Sequence, residues 1–216
     1  LLVETTQDLL QAKAAVNGCR QAISEADFDV VLIAQVTVET TGTMLLGSEI
    51  GAALNALEPL EVDLIGLNCA TGPAEMSEHL RYLSKFAKCA ISVMPNAGLP
   101  ILGANGAEYP LGPQELADAL ETFVGDSGIG LIGGCCGTTP QHLAAVVEKM
   151  SAKPFKPRGA AIDPGASSLY QYVPFRQDNT YLAIGERTNA NGSKAFRDAL
   201  IAEDWEKCVE IARDQI

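Results

Sequence analysis

The chain has 216 residues, 47% of them hydrophobic and 6% aromatic, which is enough apolar material for a packed core and excludes a disordered chain. Its net charge of −12, from 15 basic and 27 acidic residues, leaves no basic stripe to neutralise phosphates and argues against a nucleic-acid partner. No apolar stretch approaches the roughly 20 residues of a membrane span, and no charged n-region with a cleavage site opens the chain. The expectation is a cytoplasmic protein without a membrane partner, in which the six cysteines read as thiols or metal ligands before they read as disulfides.

The opening residues LLVE read as a strand already under way, and the closing VEIARDQI as a helix without a cap. Both ends look cut, and a fragment of a longer protein is expected. Further apolar runs follow in FDVVLIAQVTV from Phe28, EVDLIGLNC from Glu61, CAISVMP from Cys89 and GIGLIGGCC from Gly128. Several are continuous rather than alternating, as strands buried on both faces should be. Helices start between them at Pro73 after Gly72, at Pro113 after Gly112, and at Pro140 after Thr139, each proline at a first helical position. On the last of these, Leu143, Val146, Val147 and Met150 form an apolar stripe. A βα repeat of this kind builds a parallel sheet. A (β/α)8 barrel would need three more βα units upstream of Leu1. An open doubly wound sheet would need none, but the G-x-G-x-x-G turn of its dinucleotide-binding version is absent.

From Ser151 to about Thr180 the pattern dissolves into Pro154, Pro157, Pro164 and Pro174 with Gly159 and Gly165, the composition of a linker. Tyr170, Tyr172 and Phe175 are the residues expected to dock it. A new strand, YLAIGE, begins at Tyr181 and leads through RTNANGS into a helix with Ile201, Trp205, Val209 and Ala212 on one face. The expected organisation is a domain over 1–152, a linker over 153–180 and the start of a second domain over 181–216.

Vicinal cysteines such as Cys135 and Cys136 rarely bond to each other, but two neighbouring thiolates can share one soft or borderline metal ion. Cys69 ends the run LIGLNC, so a parallel sheet carries it to the same carboxyl edge. Three thiolates leave one tetrahedral position open, the arrangement of a catalytic zinc site. A thiol entering that position would lose its proton, because coordination lowers a thiol pKa from about 8.5 to well below neutrality. The C-x-x-C pair of a thiol–disulfide enzyme is missing. Cys19, Cys89 and Cys208 read as small hydrophobes, and His79 and His142, inside helical patterns, are not read as ligands.

The segments GGCCGTTPQH, GLNCATGPAEM and PNAGLP resemble the homocysteine S-methyltransferase family over residues 1 to about 150. The resemblance implies a (β/α)8 TIM barrel, of which this chain would carry about strands 4 to 8. It implies zinc held by Cys69, Cys135 and Cys136, with Asn96 filling the fourth position when homocysteine is absent. It also implies that Glu4 receives the substrate amino group, with Thr37 as a weaker candidate on the substrate side. The later segment YLAIGERTNANGSKAF resembles the opening of the pterin-binding methyltransferase barrel, so the chain would end in the first βα unit of a second TIM barrel, with Glu186 and Asn189 facing the pterin. This domain order is similar to that of the cobalamin-dependent, methionine-forming branch of the family. The implied reaction moves a methyl group from 5-methyltetrahydrofolate to homocysteine through methylcobalamin, with the zinc-bound homocysteine thiolate as nucleophile. No D-x-H-x-x-G segment is present, so the cobalamin-binding domain would be a partner elsewhere in the parent protein, alongside homocysteine and folate. Two other readings use the same cysteines: a homocysteine methyltransferase with another donor, such as betaine or S-methylmethionine, and a non-catalytic zinc module.

Overall fold

Short buried runs alternating with amphipathic helices give a parallel sheet in the computed structural model, which describes residues 1–26, 29–104, 106–151, 153, 155, 157–182 and 186–214. In chain order the elements are β1 (Leu2–Thr6), α1 (Leu9–Glu25), β2 (Ile33–Val36), α2 (Ile50–Leu57), β3 (Leu64–Asn68), α3 (Pro73–Phe86) and β4 (Ala90–Met94). A hairpin of β5 (Ile101–Gly103) and β6 (Gly106–Glu108) comes next, followed by α4 (Pro113–Ser127), β7 (Leu131–Ile132) and α5 (Pro140–Met150). The sheet runs β1-β2-β3-β4-β7, every pair parallel.

Side chains on the prolines' neighbours start the helices. Gly72 N–H donates to Glu75 Oε2 (3.1 Å) and Gly112 N–H to Glu115 Oε2 (2.7 Å), the backward half of a capping box. At α5 a histidine takes that part: Thr139 N–H donates to His142 Nδ1 (3.2 Å), and His142 Nε2 lies 2.9 Å from Leu111 O. The ring hydrogen therefore sits on Nε2 and reaches back to the residue before α4's cap, which accounts for the buried His142 as structural.

Register puts Ala34, Ile65 and Ile91 in one row and Val36, Leu67 and Val93 in another. All six are buried and pack with Leu80, Leu83, Leu116 and Leu120 from the helices, each large aliphatic side chain contributing about 1.5–3 kcal/mol. The intervening row, Gln35, Gly66 and Ser92, faces the other side. Gln35 Nε2 donates to Ser92 Oγ (3.0 Å) across Gly66.

Among the described residues β1 pairs only with β2 and β7 only with β4. The apolar residues beside those edges are uncovered: Leu1, Leu2 and Leu10 on one side, Leu143 and Val147 on the other. The stripe expected on α5 is accordingly split. Val146 is buried, whereas Val147 is 68% exposed, because α5 packs against α4 and no described element covers its far side.

The chain divides into two compact units, Leu1–Pro174 and Phe175–Ile216. In the first, the proline-rich stretch after α5 is strapped down. The Arg158 guanidinium donates to the carbonyls of Ser84, Ala87 and Cys89, and Ala161 N–H donates to Lys85 O (2.7 Å). A hairpin of β8 (Gly165–Ser167) and β9 (Tyr172–Pro174) then lies along α2, with Asn55 Nδ2 donating to Ser167 Oγ (2.9 Å) and Glu49 N–H to Tyr170 O (2.8 Å). Tyr170 and Tyr172 sit over Gly47 and Gly51.

The second unit holds α6 (Lys194–Ile201) and α7 (Trp205–Arg213). The strand expected from Tyr181 falls largely on residues 183–185, outside the described residues, and Tyr181 and Leu182 are not in a strand. The single helix expected after it is two helices. Glu203 turns left-handed (φ +53°), and Asp204 caps a new start by accepting from Lys207 N–H (3.0 Å). The buried face is Ala199, Cys208 and Ile211, with Ile201, Trp205 and Val209 exposed. No helix among the described residues is long and apolar enough to cross a membrane.

Candidate metal centre

The carboxyl edge of the sheet carries two sharp turns. One follows β3, where Cys69 and Ala70 both adopt left-handed conformations (φ +61° and +59°). That turn is fixed by Cys69 N–H donating to Met94 O (3.1 Å) and Thr71 N–H donating to Cys69 O (2.7 Å). The other follows β7. Gly133 N–H donates to Val93 O (3.0 Å), Cys135 N–H to Pro95 O (2.8 Å) and Thr138 N–H to Cys135 O (3.2 Å). Gly137 must be glycine: its φ is +79°, and a Cβ there would stand 2.3 Å from Cγ of Tyr109.

These turns bring three sulfurs together. Cys69 Sγ and Cys136 Sγ are 3.8 Å apart, and the Sγ atoms of Cys69, Cys135 and Cys136 all lie within 4.8 Å of one another. Sulfurs held at about 2.3 Å by a tetrahedral zinc ion stand about 3.8 Å apart, so the donor set fits such an ion in type and spacing. The electrostatics agree. Burial, then the hydrogen bond with Cys69 and the neighbouring thiols' charge, pushes the Cys135 thiol up to about 12. Thiolates this close repel each other, and a cation among them removes that penalty. Tyr109 adds a further contact: its hydroxyl hydrogen-bonds with Cys136, and that sulfur raises the tyrosine's pKa.

The other residues singled out from the sequence take separate positions. Asn96 is buried and braces the cysteine turn, its Oδ1 accepting from Cys136 N–H (3.1 Å) while Ala97 N–H donates to Cys136 O (2.9 Å). Thr37 is buried at the end of β2, its hydroxyl donating to Asn68 O (3.1 Å). Glu4 is exposed near the carboxyl end of β1. Glu186 and Asn189 belong to the second unit. Glu186 is exposed, and Asn189 Oδ1 accepts from Asn191 N–H (2.9 Å) in an Asx-turn. Cys19 and Cys89 are half-buried and Cys208 is buried. At Cys89, burial and the Glu58 carboxylate push the thiol up to about 11, as suits an inert structural cysteine.

Two contributors escaped the sequence reading. Tyr109 lies outside the quoted segments and reaches Cys136 only through the fold. Asn68 stands inside LIGLNC, and a polar residue closing an apolar strand was a readable signal.

Against known proteins, residues 1–150 match the homocysteine S-methyltransferase family. The chain is 63% identical over 215 residues to methionine synthase of Mycobacterium tuberculosis and 62% identical over 220 residues to that of Mycobacterium leprae. Each match takes in 100% of this chain and 18% of the relative, so the chain spans about 18% of the length of those curated relatives. The crystal structure of homocysteine methyltransferase MmuM from Escherichia coli aligns with a TM-score of 0.53 in its apo form, at 23% identity, over 69% of this chain and 49% of that one. Its oxidised form gives 0.51 at 23% identity, over 69% and 44%. At that identity the likeness carries the fold alone.

Proposed function

The chain belongs, through its residues 1–150, to the homocysteine S-methyltransferase family, and from that premise we propose that its three-cysteine centre binds zinc and activates the thiol of homocysteine for methylation to methionine. The observation that carries this reading is the convergence of three sulfurs within 4.8 Å at the carboxyl edge of a parallel sheet. A zinc ion bound there would act as a Lewis acid that lowers the pKa of the entering thiol, whose proton would pass to solvent, with its fourth position open to the substrate sulfur.

The chain's own residues do the positioning. Asn96 holds the Cys136 turn by its backbone N–H, Glu4 receives the substrate ammonium, and Thr37 steadies the end of β3 through Asn68 O. No general base is required among them. In this reading the sheet is strands 4 to 8 of a (β/α)8 barrel. The strictly sequential strand order supports it, since an open doubly wound sheet reverses order at a switch point. The unpaired apolar edges are where further strands would add. Residues 1–152 are the homocysteine-binding part, 153–180 the interdomain linker and 181–216 the start of a pterin-binding domain in which Glu186 and Asn189 face the pterin. Methylcobalamin, bound by another domain of the parent protein and recharged by 5-methyltetrahydrofolate, would supply the methyl group in the cytoplasm. The likeness to two methionine synthases at 63% and 62% identity supports methionine as the product.

The test offers zinc-loaded protein homocysteine with methylcobalamin, betaine or S-methylmethionine in turn and measures methionine. Methylcobalamin should be the donor used, and Cys136→Ser should abolish the reaction. Methionine formed only from betaine or S-methylmethionine would overturn the choice of donor, and an undiminished Cys136→Ser variant would overturn the role of the sulfurs.

A further inference from the structure

One side chain touches both halves of the candidate site. Asn68, the last residue of β3, is fully buried. Its Oδ1 accepts from Thr5 N–H (2.8 Å), and its Nδ2 donates to Thr5 Oγ1 (2.7 Å). The same Nδ2 group faces Cys135 Sγ at 4.0 Å. The amide's carbonyl is occupied by Thr5 alone, while its two N–H hydrogens serve two targets, one on β1 and one in the turn after β7.

Thr5 is the residue that needs holding. It is a β-branched residue in the left-handed region (φ +56°), a conformation that persists only where the surroundings impose it. The register of β1 against β2 slips there, from Val3 opposite Ala34 to Thr6 opposite Val36, so Glu4 and Thr5 form a bulge. Bulges of this kind re-aim a side chain next to a site, and the side chain beside Thr5 is Glu4. The two hydrogen bonds with Asn68 hold both the backbone N–H and the hydroxyl of Thr5.

We propose that Asn68 is a positioning residue that ties the Glu4–Thr5 bulge to the sulfur cluster, locking the strand end with one edge of its amide and steering Cys135 with the other. The inference rests on the reading of Cys69, Cys135 and Cys136 as metal ligands. When Cys135 binds metal as a thiolate, N–H···S donation becomes charge-assisted and tightens. The amide then fixes that sulfur's direction, the part that partners of metal ligands play elsewhere.

The test compares zinc affinity by chelator competition, the sulfur-to-cobalt absorption of cobalt-loaded protein, and the thermal midpoint of metal-free protein for the parent, Asn68→Asp and Asn68→Ala. Buried beside the thiols, aspartic acid stays protonated, accepts from Thr5 N–H and gives its single hydrogen to Thr5 Oγ1, so Asn68→Asp keeps the bulge while losing the donor to sulfur. It should fold with a near-parental midpoint, bind zinc about 10–100-fold more weakly and shift the cobalt band. Asn68→Ala should lose both metal affinity and thermal stability. Zinc affinity of Asn68→Asp within about twofold of the parent, with an unmoved cobalt band, would overturn the proposal. Cys135→Ser, measured alongside, separates the two levels. If it loses zinc while Asn68→Asp does not, Asn68 alone is misassigned. If it keeps parental affinity, the three-sulfur reading falls and the inference with it.

Discussion

Gly137→Ala puts the cysteine turn under a calculable load. The residue sits at φ +79°, where an L side chain adds about 1–2 kcal/mol of backbone strain. The new methyl carbon would also stand 2.3 Å from Cγ and 2.4 Å from Cβ of Tyr109, closer than any real contact, and relieving such overpacking costs about 1–3 kcal/mol. Together these destabilise the protein by roughly 2–5 kcal/mol, a large share of the about 5–15 kcal/mol that separates folded from unfolded domains. Tyr109 follows the exposed hairpin of β5 and β6, so the chain can yield by swinging that hairpin outward. The loss then falls towards the backbone strain alone, and the hydroxyl leaves Cys136. Urea unfolding of metal-free protein measures the stability, with Gly18→Ala as the opposite control. Gly18 lies within α1 with nothing within 4 Å of a new Cβ, so alanine there should stabilise by about 0.5–1 kcal/mol. A loss below about 0.5 kcal/mol for Gly137→Ala would refute the reasoning, since neither the conformation nor the clash could then be as described.

Further outcomes follow from other contacts. His142→Ala removes the cap on Thr139 N–H and strands Leu111 O, for a loss of about 2–4 kcal/mol by denaturant unfolding; an unchanged midpoint would contradict that structural role. Arg158→Ala frees three carbonyls at the end of α3 and the start of β4, and limited proteolysis within 157–162 should accelerate while α3 stays protected; an unchanged cleavage pattern would contradict it. Metal binding must displace the proton of Cys135, whose thiol is pushed up to about 12. Below that pH the proton competes with zinc, so apparent affinity should rise with pH across 6–8, by about tenfold per unit for each proton released, and a flat profile would mean that the thiol is not a ligand.

How much was legible beforehand depended on how local the signal was. The strands stood out because LIGLN and AISVM are continuous apolar runs buried on both faces, and Cys69, Cys135 and Cys136 because strand ends in a βα repeat share one edge. β7 shrank to Leu131–Ile132 because the glycines around it favour turns over pairing. The Asp204 cap was a readable local signal that the helical periodicity around Ile201 and Trp205 overrode. The exposure of Leu143 and Val147 was not legible, since periodicity marks an apolar face and not whether anything covers it. The Asn68 side chain gains its meaning from Thr5 and Cys135, 63 and 67 residues away, and Tyr109 from a turn opposite a hairpin, and no local pattern encodes such meetings. The strap beyond Lys153 has the composition of a linker, yet Arg158, Ala161 and Tyr170 spend their hydrogen bonds on α2 and α3, and composition is silent about such docking.

In the proposed function three sulfurs hold one zinc ion whose last position accepts the substrate thiol. Zinc-edge X-ray absorption of zinc-loaded protein, with and without L-homocysteine, tests it most directly. One zinc with about three sulfur neighbours near 2.3 Å is expected, rising to about four when homocysteine is added. A shell with fewer than three sulfurs, or one that homocysteine leaves unchanged, would contradict it.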